Sequence, residues 1–241
     1  MIFGRNPVLE SIGENMDTIY IQKGLTEGTV KKIRGRAKDL GVEVKEREKG
    51  RLDEMCEGQN HQGIVAFISD FVYSSIEDMI QYAKSKDQDP LLVLLDGIQD
   101  PHNLGAIIRS ALALGAHGVV IPKNRSASVN GTVFKTSAGA VDHMKVARVT
   151  NLSRTIDDLK KKGIWTYGAD LDGQSITQTD LTGPVAIVIG AEGKGLSQKL
   201  GDHVDAKITI PMPGDFDSLN ASVAASLVLY EINRQCDGKK K

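Results

Sequence analysis

Three features of the sequence predict an α/β fold. "LLVLLD" at 91–96 is a near-continuous apolar run, the composition of a parallel strand covered on both faces. Segments whose apolar residues recur at helical spacing alternate with such runs along the chain. The most apolar strand candidate, "PVAIVIG" at 184–190, runs straight into a glycine loop, and folds of this class place ligands at strand C-termini.

The first seventy residues read as a small α/β domain ending near Asp70. "GRNPVLESI" is a helix opened by Asn6 and Pro7, a cap and first-turn pair. "TIYI" at 18–21 is a short strand. Residues 27–40 form a helix through Val30, Ile33, Ala37 and Leu40. "VEVKERE" alternates as a half-buried strand does. A short helix covers Leu52–Cys56, and "GIVAFI" at 63–68 is a further strand. Residues 71–90 read as a linker with a short helix through Ile76, Met79, Ile80 and Ala83, and the polar "KSKDQDP" that closes it marks a boundary.

The second domain, 91–241, begins with the strand at 91–96. A helix at about 103–114, the strand "GVVI" at 118–121 and a short helix after Ser128 follow. "MKVARV" at 144–149, a helix at 153–162, "GIWTYG", the apolar strand at 184–190 and "AKITI" at 206–210 complete the alternation. A helix over 218–234 closes the chain, with Leu219, Val223, Leu227 and Tyr230 expected to bury one face.

The 241 residues suffice for one large or two small domains, and 40% apolar with 25% charged residues is ordinary for a chain that buries a core. A formal net charge of −1 does not advertise a nucleic-acid partner. A local basic patch is the alternative, and Lys31, Lys32, Arg34, Arg36 and Lys38 are the candidates, against the plainer reading of a solvated helix face. The tail Lys239–Lys241 is too short to argue from. Cys56 and Cys236 have neither metal-ligand spacing nor a disulfide framework. The start lacks a basic region followed by an apolar stretch, and no apolar run approaches the length of a membrane span. A cytoplasmic protein is therefore expected.

Three segments have the residue types that chemistry needs. "LDGIQDPHNLGAIIRSALALGA" at 95–116 places Asn103 where a helix begins and Arg109 six residues later. Gly105 permits close backbone approach, and the Arg109 guanidinium offers a planar donor fork to phosphate. A cap asparagine and a surface arginine would account for the same segment. His102 has no second histidine or cysteine at ligand spacing, so no metal is expected. "IVIGAEGKGL" at 187–196 brings Gly190, Gly193 and Gly195 around Glu192 after an apolar strand. It fits neither the dinucleotide fingerprint nor a phosphate loop, because Lys194 is not followed by Ser or Thr. "IPMPGDFDSLNASVAASLVLYE" at 210–231 has two prolines that stiffen the loop. Ser218 is the expected helix cap, with Leu219 and Asn220 at the helix mouth. Tight turns and capping alone would explain both glycine and proline segments. Ser197 has no histidine–acid partnership that sequence can supply.

In this order the three segments resemble the SpoU/TrmH family of RNA 2′-O-ribose methyltransferases, part of the knotted SPOUT group, over about 91–235. "IFGRNPVLESI" at 2–12 and "HQGIVA" at 61–66 resemble the small L30e-like substrate-binding domain of the bacterial subfamily that methylates a guanosine in 23S rRNA. The resemblance implies a trefoil-knotted parallel-sheet domain, a homodimer formed by the knotted domains, and RNA as partner, 23S rRNA or an assembling large ribosomal subunit. It implies that backbone around Gly190, Ile210 and Leu219 holds S-adenosylmethionine. It also implies that Asn103, Arg109, Glu192, Ser218 and Asn220 are the polar active-site residues. Two departures from the family pattern are Ala221, where valine is usual, and the acidic loop with Asp215 and Asp217.

The family assigns Arg109 the part of base or activator, yet a guanidinium normally stays protonated. Either a substrate phosphate perturbs it or that phosphate accepts the proton. Two other functions stay open on sequence: 2′-O-methylation of tRNA, and an inactive RNA-binding ribosome-assembly protein.

Overall fold

The computed structural model describes residues 1–12, 16–26, 28–68, 71–193, 195–214 and 218–238. Lys194, Asp215, Asp217 and the Lys239–Lys241 tail, all singled out above, lie outside the described residues. The chain forms two compact units, Met1–Val72 and Tyr73–Lys241.

In the first unit, β1 (Ile2–Phe3), α1 (Arg5–Ser11), β2 (Met16–Gln22), α2 (Thr29–Leu40), β3 (Glu43–Arg47), α3 (Lys49–Met55) and β4 (Ile64–Ile68) follow one another. The sheet has the order β1-β4-β2-β3, with β2 and β3 parallel and β4 antiparallel to both of its neighbours. Alternation along the strands sends Ile19, Ile21, Ile64 and Ala66 into a core with Val8 of α1 and Val30, Ile33 and Ala37 of α2. The opposite face packs Val65 against Leu52 and Cys56. The cap of α1 is Gly4, not Asn6, which lies inside the first turn together with Pro7. On α2, Arg34 is paired with Glu46 at 2.6 Å and Arg36 donates to the Leu9 carbonyl at 3.0 Å. Lys31, Lys32 and Lys38 are exposed.

The second unit opens with α4 (Ile76–Ser85), started by a capping box between Ser75 and Asp78. Met79, Ile80 and Ala83 of α4 are buried, and the first two lie in the core of the second unit. The stretch expected as a linker over 71–90 is thus largely structural, because this amphipathic helix covers one face of the sheet. There follow β5 (Leu91–Leu95), α5 (Pro101–Ala113), β6 (Gly118–Pro122), α6 (Gly131–Thr136), β7 (Val146–Val149), α7 (Leu152–Lys161), β8 (Trp165–Ser175), β9 (Val185–Ile189), α8 (Gln198–Gly201), β10 (Ala206–Thr209) and α9 (Ala221–Gly238). All six strands run parallel in the order β10-β8-β9-β5-β6-β7.

Every residue of β5 and β9 is buried, as their unbroken apolar runs require. Leu92, Leu94, Ala186 and Val188 face α4 and α7, while α5 and α9 pack on one another. Two expectations for α9 fail. Its cap is Asn220, whose Oδ1 accepts from the Ser222 backbone N–H at 2.9 Å, rather than Ser218. Its buried residues include Ala221, Ala225, Val228, Leu229 and Ile232, whereas Val223, Leu227 and Tyr230 are 46%, 40% and 59% exposed. Among the described residues, no helix is long and apolar enough to cross a membrane.

Candidate active site

The chain leaves β5 towards β6 and β7 on one side, while β9, β8 and β10 lie on the other. The carboxyl ends of β5 and β9 therefore flank a topological switch point, where such sheets bind ligands. A cleft of about 250 Å³ opens beside it, at the ends of β9 and β10 and along the middle of β8. Ile189, Ile208, Ile210, Met212 and Leu219 give it apolar walls, and Asp170 and Glu192 line it as carboxylates. Of the residues expected to hold a cofactor, Gly190, Ile210 and Leu219 all line the cleft, as does Ser218.

The loop after β9 folds back on itself, with an antiparallel bridge between Ala191 and Gly195 and the Gly195 N–H on the Ala191 carbonyl at 3.1 Å. Gly190 is demanded by this close approach, since a Cβ there would sit 1.9 Å from the Gly195 carbonyl oxygen. Gly193 and Gly195 take φ of +71° and +59°, which side chains resist. Asp96, at the end of β5, anchors the assembly: its carboxylate accepts from the Ser197 N–H at 3.1 Å, and its own N–H donates to the Ile189 carbonyl at 2.8 Å. Lys207 of β10 bridges Asp170 at 2.9 Å and Asp172 at 3.0 Å, which holds its ammonium above the usual lysine range. This ion pair ties the outer part of β8 to β10.

Asn220 connects the three sequence segments. Its Nδ2 donates to Asn103 Oδ1 at 3.0 Å and to Glu192 Oε2 at 3.1 Å. Its Oδ1 accepts from the Ser222 N–H and, at 2.6 Å, from the Ser222 hydroxyl. Both amide hydrogens and the carbonyl oxygen are therefore engaged. Asn103 lies in the first turn of α5, behind the Asp100 cap and Pro101. Arg109 lies further along α5, exposed and outside the cleft lining, with no hydrogen bond or ion pair among the described residues. The structure thus brings Asn103, Glu192 and Asn220 into contact, sets Gly190, Ile210, Ser218 and Leu219 around the cleft, and leaves Arg109 unpaired on its helix. Sequence reasoning missed Asp96, Asp170 and Lys207. The one signal for Asp96 is its position at the end of a buried strand.

Comparison with known proteins shows the family. The model of the SpoU rRNA Methylase family matches residues 90–230, and the model described as RNA 2′-O ribose methyltransferase substrate binding matches residues 1–74. YacO of Bacillus subtilis, assigned to the TrmH family of tRNA/rRNA methyltransferases, is 39% identical over 97% of this chain and 95% of its own length. A Staphylococcus haemolyticus protein of the same assignment is 44% identical over 98% and 95%. Among solved structures, the SpoU methyltransferase AviRb of Streptomyces viridochromogenes, in complex with AdoMet, is 26% identical with a TM-score of 0.63, covering 98% of this chain and 90% of that one. The TrmH/SpoU tRNA modifying enzyme of A. aeolicus is 29% identical with a TM-score of 0.58 over 64% and 78%. This chain belongs to the SpoU/TrmH family of RNA methyltransferases.

Proposed function

We propose that the chain methylates a ribose 2′-hydroxyl of RNA with S-adenosylmethionine, on a guanosine of 23S rRNA. The observation that carries this reading is the double hydrogen bond from Asn220 to Asn103 and Glu192 at the edge of the cleft. The cleft suits the cofactor. Its apolar walls at Ile208, Ile210 and Leu219 match a purine face, and the glycine backbone at 190–195 admits close approach. When bound, S-adenosylmethionine supplies an electrophilic methyl group on a sulfonium.

The protein supplies alignment and charge. Asn220 is a positioning residue, because its amide is fully engaged within the protein. It fixes Asn103 and Glu192, whose amide nitrogen and second carboxylate oxygen stay unpaired among the described residues and face the work of orienting the ribose. Arg109, with its five donors uncommitted, takes the substrate phosphate next to the reacting hydroxyl. That phosphate is the better proton acceptor, because the guanidinium stays charged. Ser218, exposed at the cleft mouth, helps seat the substrate.

The threading expected of this family, a trefoil knot through the cleft loops, belongs to the same proposal; the anchoring of the 190–196 loop to Asp96 supports it. So does a homodimer, for which the exposed apolar stripe on α9 offers the surface. Methylation of tRNA ribose is the second reading, favoured by the A. aeolicus neighbour, a tRNA modifying enzyme. The deciding experiment maps ribose methylation across rRNA and tRNA in cells with and without the gene. A single 23S rRNA guanosine losing its methyl group supports the first reading. A lost tRNA mark replaces it with the second, and no lost mark overturns both.

A further inference from the structure

Charge is segregated in the second unit. From Pro101 to Val141 the sequence has no Asp or Glu but contains Arg109, Lys123, Arg125 and Lys135, in a chain whose formal net charge is −1. Elsewhere in this unit Lys160, Lys161, Lys162, Lys207 and Arg234 each bridge a carboxylate, whereas Lys84, Lys86, Lys145, Arg148 and Lys199 form no ion pair among the described residues. Lys123, Arg125 and Lys135 have no side-chain hydrogen bond or ion pair among the described residues. Arg125 and Lys135 are exposed and Lys123 is half-buried.

These cations stand on a fixed platform beside the site. The loop between β6 and α6 is docked on the chain leaving β5: the Ala127 N–H donates to the Ile98 carbonyl at 2.7 Å, and the Ser126 hydroxyl to the same oxygen at 3.3 Å. The neighbouring Gly97 abuts Ala191 of the cleft loop, so that a Cβ at 97 would touch the Ala191 Cβ at 3.7 Å. The foot of the loop is held by the Lys123 N–H on the Val149 carbonyl at 2.8 Å and by Arg148 on the Lys123 carbonyl at 3.3 Å. At its far end Asn130 caps α6, and Thr136 reaches the Pro101 carbonyl at 3.4 Å. Gly105 of α5 makes that approach possible, since a Cβ there would collide with the Thr136 hydroxyl. Arg125 itself has a φ of +58°, a left-handed conformation that glycine or asparagine adopts more readily. No side-chain hydrogen bond or ion pair among the described residues accounts for an exposed arginine in that conformation.

We propose that Lys123, Arg125 and Lys135 form a phosphate-binding rail that holds the backbone of the substrate RNA beside the cleft. The proposal rests on the methyltransferase reading for its partner, and it assigns RNA binding to the second unit itself. Polyanion binding follows from the chemistry: unpaired ammonium and guanidinium donors, no carboxylate in the run, and release of counterions when phosphates are neutralised. Interactions of this kind position RNA without reading its sequence.

The test is the salt dependence of binding, by the full chain, of a 23S rRNA transcript and of a tRNA transcript. Replacing all three residues, Lys123→Gln, Arg125→Asn and Lys135→Gln, should flatten the plot of log affinity against log salt by roughly 2–3, at about 0.7–0.9 for each phosphate that is no longer neutralised. It should do so for both RNAs, while calorimetric binding of S-adenosylhomocysteine stays unchanged. The single variant Arg125→Gly, which suits the backbone conformation, should flatten the slope by about 0.7–0.9 without lowering Tm. Arg125→Lys should restore it. Unchanged slopes in the triple variant with the cofactor site intact would overturn the rail. A flattened slope in a protein that transfers no methyl group to any RNA would uphold the rail and overturn the methyltransferase reading.

Discussion

Asn220 and Arg109 illustrate two ways in which a side chain serves one site. Asn220 is tied to the fold by four hydrogen bonds, whereas Arg109 is free among the described residues. Their substitutions should separate accordingly. Arg109→Lys keeps the charge and removes the planar fork. Turnover in a single-turnover assay at saturating cofactor should fall sharply, with Tm and cofactor affinity little changed. Arg109→Ala should be at least as damaging, and near-normal turnover there would remove Arg109 from the reaction. Asn220→Asp still caps α9, because aspartate is as good a cap as asparagine. It replaces the donor facing Asn103 Oδ1 and Glu192 Oε2 with an acceptor and sets two carboxylates against each other. Loss of stability by about 1–3 kcal/mol should accompany loss of turnover. A variant that loses turnover with Tm unmoved would show that Asn220 touches substrate and does not merely position its neighbours.

At the scale of elements, apolar runs and helical spacing were enough to locate β5, β9 and α2, because each buries one continuous apolar set. They misjudged α9 for a physical reason. The helix has two apolar stripes, and spacing alone does not say that the alanine-containing one, with Ala221 and Ala225, packs inward. The stripe at Val223, Leu227 and Tyr230 then needs a cover, so Leu227→Glu should convert a dimer to monomers in light scattering; a wild-type monomer at micromolar concentration would refute the dimer. The full extent of β8 was not legible either, since "DLDGQS" has no alternation and is held by pairing of Gln174 and Ser175 with β10. The anchoring role of Asp96 was not legible, because its partner Ser197 lies 101 residues on. The same holds for His117, which joins the start of β5 to the turn after α4. Its Nδ1 accepts from the Leu91 N–H at 3.1 Å, so its Nε2 bears the proton and donates to Gln88 at 3.0 Å. Burial lowers its pKa below the usual histidine value. The unfolded chain therefore binds the extra proton first. Stability from this group is complete above about pH 6.5 and is lost as pH falls through the folded-state value. His117→Asn keeps an acceptor for Leu91 and should flatten the fall of Tm between pH 7 and 5. A profile as steep as wild type would assign the acid sensitivity to other groups.

At the scale of the whole molecule, the two units each have their own core, and the proposed function divides recognition and chemistry between them. The first unit closes its apolar faces with α1, α2 and α3, and the second closes its sheet with α4 and α7 among others. The place of the cut matters. Removing residues 1–90, the stretch read as a linker included, would strip α4 from Leu92, Leu94 and Val120 and expose a core face. Removing residues 1–72 leaves Met79 and Ile80 in place and respects the boundary between the units. A chain starting at Tyr73 should therefore fold and bind S-adenosylhomocysteine as the full chain does, since every residue lining the cleft lies beyond 168. Its affinity for 23S rRNA should drop, because the part matched by the substrate-binding model, residues 1–74, is almost wholly gone. It should not vanish: the truncated chain keeps Lys123, Arg125 and Lys135, and with them a residual salt slope that the triple substitution abolishes. Lys31, Lys32 and Lys38 are removed with the first unit, so neutralising them in the full chain should reproduce part of the truncation's change in slope. If the truncated chain binds and methylates 23S rRNA at the full-length rate, the first unit is not the RNA-recognition domain and selection of the target belongs to the methyltransferase unit alone.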